Sequence, residues 1–453
     1  MGLFGVLGIA RDGILAQTAA LTTTSSNVAN VATPGYAKRT ALLETASSGG
    51  GVRFARVERS FDRFSFAHVV MEQAKLGAAS SRSSALADIE SRLVPPSGSI
   101  GDAATAMAKA FTALAGFPTD PSLRADVLAR AQNLAEKLSS TQASLGAKSD
   151  ELLGQARDVV TDLNTKLAHI ADLNRQIATA VGTGGDASAL RDQRDVAIQA
   201  VGERIGVRAI EDQTGRVTLF AAGTALVEGD RAAALSIDLD PQAGSMRFHV
   251  TGAVQTEITS RVSEGTLGGL REARDVDLAK LRGDVDAFAF DVANAFNAVH
   301  ATGFGLDGAT GRPLFTPPAS KDGAAASMAL NPDLVGRPDR VAAAGSAGDL
   351  PGGNATVLTL GGLAQTPAFG GATLVDRFAA IATDVGFRKA SADGDAELRT
   401  NTLAVAQSLS DGASGVSIDE EMVDLTRYQR AFEASSRVLR IADELLDGLL
   451  KSF

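Results

Sequence analysis

The sequence predicts a mainly α-helical protein, with two terminal helices that pair as a coiled coil, a long helical bundle and a small inserted antiparallel β unit. Apolar side chains recur every seven residues near both ends, and helical spacing fills most of the interior. Short strand patterns are confined to one central stretch. Large rings are scarce, with 19 Phe, 2 Tyr and no Trp, which favours long, thin helical bundles over thick cores.

The N-terminal helix is predicted from residue 3 to about residue 30. Its apolar positions, one per heptad, are Leu7, Ile14, Leu21 and Val28. Several companion positions are small or polar, so an isolated helix of this composition is marginal in water, and we expect it to become ordered only against a partner. The helix should stop before Pro34, and Gly35 permits the positive φ of a type II turn.

The interior divides into helical segments and one β unit. The predicted helical body comprises residues 59–205, 266–300 and 373–411. Residues 206–265 carry short strand candidates separated by turn residues, which predicts the inserted β unit. Residues 301–372 are rich in Gly, Ala and Pro. We expect this segment to be a long, partly irregular connection that holds little core.

The C-terminal helix has a predicted start and a regular apolar seam. Ser417 is a good N-cap, and Glu420 three residues later completes a capping box. The acidic first turn also suits the helix dipole. The apolar positions are Leu425, Tyr428, Phe432, Leu439, Ala442, Leu446 and Leu449. Because each end supplies one narrow seam, residues 1–58 and 412–453 are predicted to form a single terminal domain of paired helices with its linker.

Composition excludes several classes of protein. The net charge of −10 argues against a nucleic-acid duplex or an anionic membrane as the main partner. There is no Cys, which excludes disulfides and thiolate chemistry. No apolar run approaches the roughly twenty residues that a membrane helix needs. Residues 1–10 lack the basic region of a secretory signal, so any export should proceed without signal cleavage.

No catalytic, cofactor-binding or metal-binding constellation is predicted, so we expect a protein that is not an enzyme. The four histidines lie far apart, and each is expected at the surface or the edge of the core. They are His68, His169, His249 and His300. A basic cluster is expected on a solvated face because apolar and acidic residues interrupt it. Its members are Arg53, Arg56, Arg59 and Arg63.

Segments at both ends resemble bacterial flagellar axial proteins. Ser26–Tyr36 resembles the N-terminal signature shared by rod, hook and hook-associated proteins. Its motif residues are Asn27, Asn30, Thr33, Pro34, Gly35 and Tyr36. Gly415–Met422 and Tyr428–Phe432 are similar to the C-terminus of the hook-associated protein 1 (FlgK) family of hook–filament junction proteins. The residues of the lead-in are Asp419, Glu420, Glu421 and Met422. Leu190–Asp195 and Gly265–Leu270 resemble further motifs of that family.

This resemblance implies a structural role in the bacterial flagellum. Members form an adaptor ring between hook and filament, so the implied partners are further copies of the chain, the hook protein and the second junction protein on the filament side. It also implies export by the flagellar type III apparatus, an extracellular location, and an export chaperone of the FlgN type on the C-terminal helix. Neither nucleic-acid binding nor membrane insertion is implied.

One departure from the family and two alternatives remain. Family members carry a β-rich outer domain after the helix that here ends near His300, whereas residues 303–371 lack a convincing strand series. We expect that domain to be reduced or absent. A hook or distal-rod protein is the alternative within the same class, disfavoured by the long helical body. A soluble helical dimerisation or signalling module is the alternative from another class, and it predicts a dimer with ordered ends.

Overall fold

The computed structural model describes residues 2–46, 50–252, 254–369 and 371–451, apart from the side chain of Leu449. The predicted seam position Leu449 therefore lies outside the described side chains. Helices dominate, which confirms the mainly α class. They are α1 (Leu3–Ala29), α2 (Arg63–Leu93), α3 (Ile100–Gly116), α4 (Pro121–Gly182), α5 (Ser188–Arg204), α6 (Gly265–Glu272), α7 (Ala279–His300), α8 (Ala324–Ser327), α9 (Ala355–Gly362), α10 (Leu374–Ser414) and α11 (Ile418–Lys451).

In the described residues the strands form three small antiparallel sheets. They are β1 (Arg39–Thr45), β2 (Val52–Arg59), β3 (Val207–Glu211), β4 (Val217–Ala221), β5 (Thr224–Glu228), β6 (Arg231–Ala232), β7 (Ala234–Leu239), β8 (Met246–Thr251) and β9 (Gln255–Glu257). β1 and β2 form a hairpin directly after the turn that follows α1. The inserted β unit consists of two sheets, with strand orders β3-β4-β5-β6 and β7-β8-β9.

Helix α4 is the spine of the body. It has 62 residues and is therefore about 93 Å long. Asp120 caps its first turn by accepting from the backbone of Ser122 at 2.7 Å, and Pro121 begins the helix. The Asn164 side chain bonds both backbone groups of Leu235 in β7, at 2.8 Å each. Two amide side chains of this kind, the second being Asn174 against β4, dock the β unit on the spine.

Helices α2 and α10 form an antiparallel pair beside the spine. Ser83 donates to Asp393 Oδ1 at 2.5 Å, while Ser60, just before α2, donates to the carbonyl of Ala413 at the far end of α10. Val69 packs with Leu403 in a small separate cluster. This pair therefore ends beside the start of α11, at the level where the body meets the terminal helices.

The connection at residues 301–372 contributes more to the core than its composition suggests. Within its described part, β pairing is limited to three isolated bridges, and helices are short. Yet large apolar side chains from this segment are fully buried in the main core, so the expectation of little core is wrong. They are Leu314, Phe315, Leu334, Val341, Val357, Leu360 and Phe369. A chain without regular structure can still insert single side chains between helices, and periodicity does not reveal them.

His300 is another correction, because it is buried rather than at the surface or the edge of the core. Its Nδ1 lies 2.7 Å from the carbonyl oxygen of Arg312, and its Nε2 accepts from the backbone N–H of Ala342 at 3.1 Å. Burial lowers the pKa of His300 to about 4, so the ring is neutral at pH 7. The neutral ring ties the end of α7 to the connection that follows.

Candidate functional site

The two termini meet as an antiparallel pair of helices. Gly13 of α1 lies against Ser435 of α11, and Asn27 of α1 lies against Glu421 of α11. The two contacts are fourteen residues apart on each helix and run in opposite directions, so the pairing keeps one register along both helices. We call this unit the terminal helix pair.

The side of α1 that faces α11 is made of small residues. Its buried positions are Ala10, Gly13, Ala16, Ala20, Thr23, Thr24 and Asn27. A Cβ atom at Gly13 would stand 3.1 Å from the Ser435 hydroxyl, so the two helices approach closely there. The predicted positions Leu7, Ile14, Leu21 and Val28 are only half-buried. Ile14, Leu21 and Val28 flank the small-residue contact instead of forming it, because each follows a buried residue by one position.

The predicted positions of α11 differ in burial. Ala442 is buried, Leu439 is 36% exposed, and the other described positions are half-buried. Those are Leu425, Tyr428, Phe432 and Leu446. Other large apolar side chains of the pair point to solvent. They include Phe4, Leu15, Met422, Val423, Ile441, Leu445 and Leu450. The terminal helix pair therefore keeps an apolar outer surface in addition to its internal contact.

Asn27 is the centre of a polar network at the base of the terminal helix pair. Its Oδ1 accepts from the hydroxyl of Tyr36 at 2.8 Å and from the backbone N–H of Arg39 at 3.0 Å. Its Nδ2 donates to the carbonyl of Arg39 at 2.7 Å and to Glu421 Oε2 at 2.9 Å. The motif residue Asn27 thus joins α1, the linker and α11 with one buried amide.

Lys38 adds an ionic contact at the same level. Its Nζ lies 2.8 Å from Glu420 Oε2 and 3.4 Å from Glu421 Oε1. The hydrogen bond to Glu420 raises the pKa of Lys38, and the same bond lowers the pKa of Glu420. Because Glu420 binds Lys38, the capping box predicted with Ser417 is not formed among the described contacts.

Two arginines of the β1–β2 hairpin tie this base to the helical body. Arg39 Nη2 lies 2.9 Å from Asp192 Oδ2, and Arg59 Nε lies 2.7 Å from Asp192 Oδ1. Arg59 Nη2 also lies 2.7 Å from Asp195 Oδ2. Burial raises the pKa of Asp195, and the Arg59 charge opposes that shift. Arg59 is therefore not on a solvated face, and the aspartates of the Leu190–Asp195 motif hold the hairpin on α5.

The remaining motif residues shape the linker. Gly35 has φ of +78°, and a Cβ there would stand 2.2 Å from a methyl carbon of Val196, so only glycine fits. Asn30 donates to the carbonyl of Ser26 at 2.8 Å, and Thr33 donates to Asn30 Oδ1 at 3.2 Å. Together with Pro34 these contacts turn the chain from α1 onto the body. A cleft of about 810 Å³ lies between this linker and helices α4 and α5.

Sequence reasoning predicted some of these residues and missed others. It selected Asn27, Tyr36 and Glu421 from the resemblance, and the structure brings them together. It did not select Lys38, and it named Asp192 only as part of the Leu190–Asp195 motif; both residues complete the base. The available signal was the charge pattern: basic residues flank the linker, and the Leu190–Asp195 motif places two carboxylates one helical turn apart.

Two other classes of site are not found in the described ranges. No group of three His, Asp or Glu side chains there is close enough together to hold a metal ion. Over the same ranges, no helix combines the length and apolar character needed to cross a membrane. The geometry of the described chain instead concentrates on the terminal helix pair and its base.

Two family models match the chain. The model described as the flagellar hook-associated protein FlgK helical domain matches residues 86–315. The model described as the flagellar basal body rod FlgEFG protein C-terminal matches residues 411–451. The first match covers half of the chain, including the spine α4 and the motif on α5. The second covers all of α11, which forms the C-terminal half of the terminal helix pair.

Three curated relatives that match the chain have the same name. The chain is 29% identical to flagellar hook-associated protein 1 of Salmonella typhimurium over 322 residues, which is 68% of this chain and 58% of that protein. It thus spans just under three fifths of that relative. It is 26% identical to the protein of the same name from Bacillus subtilis, with 98% of this chain and 97% of that protein covered. For Escherichia coli the identity is 24%, with coverage of 97% and 98%.

A solved structure shares part of the fold. The flagellar hook junction protein FlgK from Burkholderia pseudomallei matches 55% of this chain and 46% of its own length, with 25% identity and a TM-score of 0.51. The match supports the helical architecture described above for about half of the chain.

Proposed function

Because the chain belongs to the flagellar hook-associated protein FlgK family, we propose that it is a structural component of the bacterial flagellum that forms an adaptor ring at the hook–filament junction. The observation that carries this proposal is the terminal helix pair. It is held on a buried polar base and keeps an apolar outer surface. An apolar surface of this kind is typical of a site that binds other protein chains.

The outer surface of the terminal helix pair supports a role in polymerisation. Phe4 is 80% exposed and Val423 is 69% exposed, although both belong to helices that pair with each other. Packing against neighbouring subunits would bury these side chains, and burial of a large apolar side chain contributes roughly 1.5–3 kcal/mol. We assign residues 1–58 and 412–453 to this polymerisation domain. Its partners in the proposal are copies of the chain, the hook protein and the second junction protein.

Export is part of the same proposal. The chain would leave the cell unfolded through the flagellar type III apparatus without signal cleavage and act outside the cell. A chaperone of the FlgN type would hold α11 beforehand. In the folded chain α11 pairs with α1, so the chaperone would bind before the two ends pair. Deleting residues 415–453 should abolish chaperone binding, and unchanged affinity would contradict this part of the proposal.

The main experiment removes the gene and restores it. A strain without this chain should retain hooks, lack filaments and release flagellin into the medium. The full chain supplied from a plasmid should restore filaments, whereas a chain ending at residue 410 should not. Normal filaments in the deletion strain would overturn the proposal. A stable dimer of the purified chain with protease-resistant ends would favour the helical dimerisation module instead.

A further inference from the structure

The cleft of about 810 Å³ between the linker and the body lies beside the base of the terminal helix pair. We propose that this cleft receives the first turn of α11 from a second copy of the chain. The inference rests on the proposed ring, and it names the contact between neighbouring copies at this level. We call the incoming segment, residues 418–423, the docking turn.

The walls of the cleft are mainly apolar. Pro34 and Tyr36 line it on the linker side, and Val196, Ala197 and Ala200 line it on α5. Val196 is 40% exposed although it points into a concave surface. A cleft with such walls suits apolar side chains from a partner.

Two cationic side chains, Arg39 and Lys166, line the cleft. Lys166 of α4 is 28% exposed in its side chain, and its Nζ lies 3.4 Å from Asp162 Oδ1. Asp192 is the one carboxylate among the described lining residues, and both of its oxygens are bonded to arginines. The cleft therefore suits a segment that combines apolar side chains with carboxylates.

The docking turn has that composition. Ile418 and Met422 are about half exposed, and they lie four residues apart on one side of the helix. Val423 is more exposed still, and the exposed Asp419 supplies a carboxylate beside them. Within its own chain this turn is fixed by the Lys38–Glu420 contact, so it is presented to a partner in a defined orientation.

The level of the two surfaces supports a second copy as the occupant. Tyr36 lines the cleft, and Lys38 follows it by two residues along the chain. Lys38 in turn binds Glu420 of the docking turn. The docking turn and the cleft therefore lie at the same level of one molecule. Copies in a ring are related by rotation about a common axis, and a head-to-tail contact in such a ring joins two different surfaces that lie at one level.

Cysteine cross-linking tests this contact, because the chain has no Cys of its own. The variant Val196→Cys with Met422→Cys places one thiol in the cleft and one on the docking turn. After mild oxidation of isolated flagella, we expect a ladder of covalent oligomers, since each copy links to the next. The matched control, Val254→Cys with Met422→Cys, replaces an apolar residue that is 75% exposed on the β unit. It should give no ladder.

A charge reversal provides a second test that needs no thiol. Lys166→Glu should reduce filament attachment, and adding Asp419→Lys should restore it. An exposed ion pair contributes about 0.2–1 kcal/mol, which corresponds to a change of about fivefold at most in each contact. The control adds Asp443→Lys to Lys166→Glu, because that acidic residue is exposed on α11 away from the docking turn. It should restore nothing.

The outcomes separate this inference from the proposed function. Attached filaments without a ladder in the cleft variant would overturn the inference and leave the junction role intact. A cross-link to a different flagellar protein, identified by mass, would also overturn it. If the cysteine variant fails to attach filaments, the charge reversal decides, and absence of recovery with Asp419→Lys overturns the docking. Normal filaments in the deletion strain would instead overturn the junction role itself.

Discussion

Asn27 donates its side-chain N–H to Glu421 across a separation of 394 residues, with Nδ2 and Oε2 2.9 Å apart. The two residues are 1% and 2% exposed. A buried carboxylate needs hydrogen-bond donors, and Glu421 receives them from the amide of Asn27 and the ammonium of Lys38. The two ends of the chain therefore complete each other at this point.

Replacing Asn27 by Ala should loosen the terminal helix pair. The change removes four hydrogen bonds and leaves Glu421 and the Arg39 backbone buried without these partners. The expected cost is about 2–3 kcal/mol. Hydrogen exchange of the α1 amides should become correspondingly faster. Asn401→Ala, at an exposed position of α10, is the control and should change nothing. Equal protection of α1 in both variants would contradict this role of Asn27.

Because the two terminal helices approach closely, the same substitution at two glycines of α1 should affect their packing differently. Gly13→Leu must displace Ser435, whereas nothing lies within 4 Å of a Cβ at Gly8. Leu favours a helix over Gly by roughly 0.8 kcal/mol at either position. Overpacking should cost about 1–3 kcal/mol at Gly13 alone. Electron spin labels at Leu15 and Ile441 should show a longer distance in Gly13→Leu and an unchanged one in Gly8→Leu. A longer distance in Gly8→Leu and an unchanged one in Gly13→Leu would contradict the close contact of α1 with α11 at Gly13.

Because His300 is buried, we expect the folded protein to lose stability in mild acid. Its pKa is about 4 in the folded chain, below the ordinary 6.5, because burial disfavours the charged ring. Below pH 6.5 His300 binds a proton more readily in the unfolded chain than in the folded one. The stability that neutral His300 contributes is therefore fully present above pH 6.5 and is lost as the pH falls towards 4. The total is about 3 kcal/mol, from 1.36 kcal/mol per pKa unit.

Urea unfolding between pH 7.5 and 4 measures this effect. The pH dependence of the native chain should exceed that of His300→Gln, and the difference between the two at each pH isolates His300. His68→Gln, which replaces a histidine whose side chain is 44% exposed on α2, is the matched control. Parallel profiles for the native chain and His300→Gln would show that the ring is not neutral in the folded state.

A substitution in the buried part of the irregular connection, residues 301–372, should have a large effect on the stability of the whole protein. Phe315 is fully buried, and Asn297 of α7 holds both of its backbone groups, at 3.0 and 2.7 Å. Phe315→Ala should lower the free energy of unfolding by about 3–5 kcal/mol. Val335→Ala, at an exposed position of the same segment, should stay within about 0.5 kcal/mol. A purely local effect of Phe315→Ala would mean that the connection folds apart from the body.

Much of the local structure could be predicted from the sequence. The N-terminal helix was expected from residue 3 to about residue 30 and runs over Leu3–Ala29. Gly35 has the positive φ expected of its turn. These features depend on residues within one or two helical turns of each other, so a single sequence contains their signal.

The contacts between distant segments needed the tertiary structure. The sequence by itself determined that the chain is helical, that each end carries a seam, and that no thiol chemistry exists. Only the fold decided that α1 pairs through Gly13 and its small neighbours, that Arg59 binds Asp192, and that Glu420 binds Lys38. Each outcome depends on a partner more than a hundred residues away, and neither periodicity nor capping preference specifies which distant surface a side chain will meet.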